Sequence, residues 1–116
     1  MALTFRIFFF PLKELCSKEN LDIFFVIDSS RSVTEKNFAD LRAFLSTLVG
    51  QFKVGEFESR IGLMQFSEYF RTVIEFNFGE HKTSHEIQKN IKKLMHQDGD
   101  STYTGKALKM VNDKVW

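Results

Sequence analysis

Five consecutive apolar residues, Ile23-Phe24-Phe25-Val26-Ile27, stop abruptly at Asp28. A strand with one wet face would alternate apolar and polar residues. An unbroken β-branched and aromatic run instead describes a strand buried on both faces, the kind found inside parallel α/β sheets. Ligands of open α/β sheets bind just beyond the carboxyl ends of such strands, which is where Asp28 falls. Ser30 and Ser32 follow at alternate positions, so three hard oxygens can project from one short loop. Hard oxygen donors suit Mg²⁺, Ca²⁺ or Mn²⁺ far better than soft metals. The expectation is a divalent-cation site at the top of a central parallel strand.

The rest of the chain supplies the elements around that strand. Thr34 is an N-cap with Glu35 favourable in the first turn. Phe38, Leu41, Leu45, Leu48 and Phe52 then recur at spacings of three and four, widened by Phe44 and Val49. That is one buried face of a long helix. Arg60 to Phe66 reads as a second strand and Tyr69 to Phe76 as a third. Only Ser67 and Glu68 separate them, which predicts a hairpin and an antiparallel edge. Thr83 and Glu86 form a capping box for a helix over Ser84 to Met95, with Ile87, Ile91, Leu94 and Met95 at helical spacing. A polar loop, Gln97 to Thr104, leads to a last helix from Gly105 to Trp116. Its cap is Thr102 or Thr104, and Ala107, Leu108, Val111 and Val115 turn inward.

Residues 1–20 show no strong period and read as a lead-in. Arg6 interrupts their apolar run and no small-x-small cleavage site follows, so they are not taken as a signal peptide. The fold class read from this pattern is α/β, a doubly wound open sheet. One lead strand and one hairpin make three strands, fewer than such a sheet holds, so residues 21–116 read as a C-terminally truncated, partial domain.

Composition excludes several functions. Lys plus Arg is 16 against 15 for Asp plus Glu, so no basic footprint points to nucleic acid. No apolar run approaches the roughly 20 residues of a membrane span. Cys16 is the single cysteine, so no internal disulfide can form. The fourteen Phe are assigned mainly to the core.

Specific motifs narrow the chemistry further. An EF-hand would need glycine and glutamate where Val33 and Ala39 stand. No glycine-rich run ends in Lys-Ser or Lys-Thr, and no Gly-x-Ser-x-Gly elbow occurs. His81, His85 and His96 share no metal-ligand spacing and are read as surface residues. Lys89, Lys92 and Lys93 are read as a solvated helix face. Two alternatives remain for the Asp-x-Ser-x-Ser loop. It could serve a Mg²⁺-dependent phosphotransferase or hydrolase with Asp28 as nucleophile, although Ser30 stands where a second acid belongs. It could also be a helix-capping loop whose serines satisfy backbone groups.

A second polar loop alters the balance. The strand-end motif LDIFFVIDSSRSV, the strand RIGLMQFS and the later DGDSTYTGKAL together resemble the von Willebrand factor A domain family, also called integrin I domains, over about residues 21–116. The matrilin and non-fibrillar collagen branches are most similar. The resemblance implies a doubly wound, Rossmann-like open sheet with helices on both faces, and a metal-ion-dependent adhesion site at the carboxyl edge of that sheet. By position, Ser30 and Ser32 would bind the cation through their hydroxyls, Asp28 would act in or next to the first shell through water, and Thr102 would supply the oxygen of the second loop. The family's further aspartate would lie beyond Trp116. Asp100 is expected to face solvent. The cation would be Mg²⁺, or Mn²⁺ or Ca²⁺. The resemblance further implies a secreted, extracellular matrix or adhesion module that binds a matrix or cell-surface protein without catalysis. A structural module with a degenerate site is the other reading. In some extracellular members a cysteine placed like Cys16 pairs with one after the last helix.

Overall fold

The computed structural model describes residues 21–115. The lead-in and Cys16 lie outside them. Strand β1 (Asp22–Asp28) runs into helix α1 (Glu35–Val49). Strands β2 (Arg60–Phe66) and β3 (Val73–Phe76) follow, then helices α2 (Ser84–Lys92) and α3 (Thr104–Lys114).

The three-stranded sheet has the order β1-β2-β3. β1 and β2 pair in parallel, from Asp22 opposite Arg60 to Asp28 opposite Phe66. The α1 crossover makes this possible, since parallel neighbours cannot be joined by a tight turn. β2 and β3 are antiparallel, with an irregularity between Leu63 and Met64. Among the described strands β2 is therefore the middle one, not β1. β1 is nonetheless buried from Ile23 to Asp28, as its unbroken apolar run requires.

The strand period of two divides those side chains between two cores. Ile23, Phe25 and Ile27 join Ile61, Leu63 and Phe76 beneath α1 and α2. Phe24 and Val26 join Met64 and Phe66 beneath Ala107 and Val111 of α3. A Cβ on Gly62 would lie 2.5 Å from the Phe24 ring, so only glycine lets that ring cross β2.

The helix ends follow their capping residues closely. Thr34 Oγ1 accepts the Asn37 N–H at 3.1 Å, and Thr83 Oγ1 accepts the Glu86 N–H at 3.1 Å. The Glu86 carboxylate reaches back to the N–H of Lys82, one residue beyond the expected reciprocal partner.

Several local expectations change. β3 starts at Val73, because the Arg71 N–H donates to the Glu68 carbonyl at 2.9 Å and closes a turn where strand was expected. α2 ends at Lys92 and not Met95, which is exposed. α3 begins at Thr104 after Tyr103, with no side-chain cap from Thr102 or Thr104. Leu108 and Phe44 face solvent, as do Phe57 and Phe70. Phe24, Phe25, Phe38, Phe52, Phe66 and Phe76 fill the interior.

Candidate metal centre

β1 delivers Asp28 to the carboxyl edge of the sheet, where it is 3 % exposed. A buried carboxylate needs donors. The Ser30 N–H supplies one, at 2.8 Å from Asp28 Oδ1. That short loop bond turns the chain back over the strand end. It brings Ser30 Oγ to 3.0 Å from Ser32 Oγ, with Ser30 buried and Ser32 exposed. The pair thus opens from the strand end toward solvent.

The second loop crosses above the first. The Arg31 N–H donates to the Gly99 carbonyl at 2.7 Å, and the Gly99 N–H reaches the Ser29 carbonyl at 3.4 Å. The Tyr103 N–H donates to the Ser67 carbonyl at 2.9 Å, just past the end of β2. Thr102, exposed and adjacent to Tyr103, therefore belongs to the same edge as Asp28, Ser30 and Ser32. A Cβ on Gly99 would come within 2.5 Å of Ser67 Cβ, so a side chain there would lift the upper loop away.

Four residues to which the sequence reading gave no part in the site, Ser29, Ser67, His96 and Gln97, hold these loops together. Ser29 Oγ accepts the Gln97 N–H at 2.7 Å, and Ser67 Oγ donates to Gln97 Oε1 at 2.5 Å. His96, expected at the surface, has a side chain only 3 % exposed. Its Nε2 lies 3.0 Å from the Ser30 carbonyl and its Nδ1 lies 3.1 Å from Glu35 Oε2. Both partners are hydrogen-bond acceptors, so the ring bridges the lower loop to the start of α1. The ring also packs on Phe38, with centroids 4.9 Å apart. No local pattern marks these residues, because their partners lie far away along the chain.

The charges around the edge are turned outward. Arg31 pairs with Asp100 at 2.7 Å and with Asp98 at 3.5 Å, all three exposed. Asp100 thus faces solvent, as expected. Among the described residues no cluster of three His, Cys, Asp or Glu could hold a metal. The donors at this edge are hydroxyls backed by one carboxylate.

That donor set fits a small hard cation. Two ligands at right angles on an octahedral Mg²⁺, with bonds of about 2.1 Å, are separated by about 3 Å. The serine hydroxyls already have that separation.

The von Willebrand factor type A domain profile matches residues 22–115, and the chain belongs to that family. It is 37 % identical over 98 residues to the collagen alpha-5(VI) chain of Mus musculus, covering 84 % of this chain and 4 % of that protein. It is 36 % identical over 93 residues to matrilin-1 of Gallus gallus, covering 80 % of this chain and 18 % of that one. The chain therefore spans a small part of the relatives it matches. Proximal thread matrix protein 1 from the mussel byssus, solved with a zinc-occupied MIDAS motif, superposes with a TM-score of 0.74 at 27 % identity, over 84 % of this chain and 27 % of that one.

Proposed function

We propose that residues 21–116 act as a protein-binding module of the extracellular matrix, in which Asp28, Ser30, Ser32 and Thr102 hold a divalent cation. The cation, Mg²⁺ or its substitutes Mn²⁺ and Ca²⁺, would supply an open coordination position for a carboxylate of a protein ligand. Ser30 and Ser32 hold two neutral oxygens at the separation such an ion requires. Neutral donors leave the ion electron-poor and so favour an incoming anion. Asp28, fixed by the Ser30 N–H, anchors the loop and offers its carboxylate to a cation-bound water. Thr102 contributes from the upper loop.

The Ser30–Ser32 pair at 3.0 Å carries this reading. The family and its collagen and matrilin relatives support a matrix setting and a binding role without catalysis. The MIDAS zinc in the byssal protein supports a cation at the corresponding edge. Among the described residues no helix is long and apolar enough to cross a membrane.

Calorimetric titration of the 116-residue chain with Mn²⁺ tests the proposal. The unmodified chain should bind, and the double substitution Ser30→Ala/Ser32→Ala should weaken binding by at least about tenfold without lowering the melting temperature. Equal affinity in the double variant would move the cation elsewhere. Failure of the unmodified chain to bind, with binding by a version extended to include the family's further aspartate, would show that the site needs that residue; failure of both would leave a structural module with a degenerate site.

A further inference from the structure

Charge on this chain is balanced in number but not in place. Arg31 pairs with Asp98 and Asp100, Lys36 with Asp40, Arg60 with Asp22 and Lys109 with Asp113. Arg42 and Lys106 donate to the carbonyls of Leu94 and Tyr69. Lys82, Lys89, Lys92 and Lys93 are different. All four are exposed, and among the described residues their side chains have no ion pair and no hydrogen bond. They lie on α2 or at its ends. His85, Lys89 and Lys92 recur at spacings of four and three, and Lys93 follows Lys89 by four. They therefore share the face turned away from the buried Ile87 and Ile91. Glu86 is the one acid of this helix, and its carboxylate accepts the N–H of Lys82.

Such a face works against the helix that carries it. Lys89 and Lys92, and Lys89 and Lys93, stand at the spacings where like charges repel across a helix surface. The carboxyl end of a helix favours cations, which accounts for Lys89 or Lys92 singly. It does not account for Lys82, which stands just before the N-cap Thr83, at the positive end of the same dipole. Lys53, also exposed, adds to that end. Ser84 Oγ donates to the Phe52 carbonyl at 3.0 Å and so holds the loop after α1 against the start of α2. A cavity of about 230 Å³ opens there, at the amino edge of the sheet, with Arg60, His81 and Lys82 in its wall. Glu56 is the one acid among its lining residues. From Lys82 to Lys93 the row of cations runs about 16 Å, at about 1.5 Å per residue. No single carboxylate answers a row of that length, whereas an extended polyanion does.

We infer that the outer face of α2, with Lys53 and the cavity at its foot, binds a sulfated polysaccharide. Sulfate groups repeat along such a chain, and each can face a lysine ammonium, a compact point charge that needs no fork-to-fork alignment. Pairing them releases the counterions held by the polyanion, so the attraction is strong at low salt and falls as salt rises. Nucleic acid is the other common polyanion. Residues 82–93 hold no Phe, Tyr or Trp on which single-stranded bases could stack, and the proposed matrix setting supplies sulfated chains. The inference takes only that setting from the proposed function. It needs no divalent cation and uses none of the residues at the hydroxyl-lined edge.

The probe is a heparin octasaccharide, titrated in EDTA into the ¹⁵N-labelled 116-residue chain, with amide shifts followed by NMR and affinity by calorimetry. Shifts should centre on Lys53 and residues 82–93. Raising sodium chloride from about 0.05 M to about 0.2 M should weaken binding by at least about tenfold. The triple substitution Lys89→Gln/Lys92→Gln/Lys93→Gln changes only exposed side chains. It should keep the spectrum of the folded chain and weaken binding by at least about tenfold. Lys36→Gln/Lys109→Gln/Lys114→Gln removes the same charge elsewhere and should weaken binding far less. Equal losses in the two triple variants would overturn the inference, because net charge alone would then explain binding. An unsulfated octasaccharide of the same backbone that binds as tightly would overturn it too. So would a single-stranded oligonucleotide of matched charge that binds more tightly, in favour of nucleic acid. Octasaccharide binding that requires Mg²⁺ and shifts the amides of residues 28–32 would move the contact to the hydroxyl-lined edge and overturn it as well. The two proposals fail separately. Binding in EDTA by a chain that takes up no Mn²⁺ leaves the α2 face standing without the cation site. Uptake of Mn²⁺ by a chain blind to the octasaccharide leaves the cation site standing without the α2 face.

Discussion

The two faces of the sheet are covered very differently. Beneath α1 and α2, Phe25, Phe38, Leu45, Ile61, Leu63, Ile87 and Ile91 are all fully buried in one broad core. The other face has a smaller core under α3, where Phe24, Val26, Met64 and Phe66 meet Ala107 and Val111, with Met110 and Val115 only partly covered. The same strand feeds both, because adjacent β1 residues point to opposite sides. The difference teaches where rigidity comes from at the hydroxyl-lined edge. The lower loop, through Ser30, is tied by His96 and Glu35 to the broad-core side. The upper loop leads into α3, on the thin side, and is held at the edge by the Gly99 and Tyr103 backbone bonds.

The largest expected effect tests the unequal cores directly. Leu45→Ala should cost about 3 kcal/mol, since its side chain is fully enclosed by neighbours that cannot collapse. Met64→Ala should cost about 2 kcal/mol, because its smaller core, with Met110 and Val115 only partly covered, can relax into the space. Urea unfolding of both variants gives the ratio. A greater loss from Met64→Ala would show that the thin side is the tighter one.

A smaller effect probes the crossing of the two loops. Gly99→Ala would place a Cβ 2.5 Å from Ser67 Cβ and should destabilise the chain by about 1–2 kcal/mol. Hydrogen exchange should show faster opening at Arg31 and Tyr103, with the α1 amides unchanged. Faster exchange throughout α1 would mean that the two sides do not behave as separate units.

The smallest effect concerns α3 itself. The hydrogen bond from Lys109, at 2.6 Å, is the main cause that holds the Asp113 carboxyl below its usual range. A folded-state pKa below the unfolded value, about 3.9, stabilises the helix above that pH. The contribution is lost as pH falls through the folded value. NMR titration of Asp113 should show the lowered midpoint, and Lys109→Ala should raise it. The pair is exposed, so added salt should weaken the difference. An unchanged midpoint in Lys109→Ala would remove local ion pairing as a support for the thinly covered helix.

Much of this was legible in the residues. The Ile23–Ile27 run defined a doubly buried strand, and the spacing from Phe38 to Phe52 defined α1 with its cap at Thr34. The Asp28-x-Ser30-x-Ser32 pattern put three side-chain oxygens after the end of β1, where Ser30 Oγ and Ser32 Oγ meet, while the part given to Thr102 came from the family resemblance and belongs to the proposal. Other features escaped. Tyr69 and Phe70 have strong strand propensity, yet the turn closed between Glu68 and Arg71 overrides it. Leu108 fits the helical stripe by spacing, but α3 meets a sheet too narrow to cover it.

The sequence alone determined the order and kind of the strands and helices, though not the start of β3 or the end of α2, and that oxygen donors cluster after β1. Those properties depend on side-chain chemistry repeated over a few neighbouring positions. Only the tertiary structure decided that His96 is buried against Ser30 and Glu35, that Gln97 joins Ser29 to Ser67, and that three aromatic rings line up beside Thr102. All of those contacts except the Tyr69–Phe70 pair join residues tens of positions apart. Their geometry is set by the parallel pairing of β1 with β2 and by the path of the chain over the sheet edge, which no local pattern encodes.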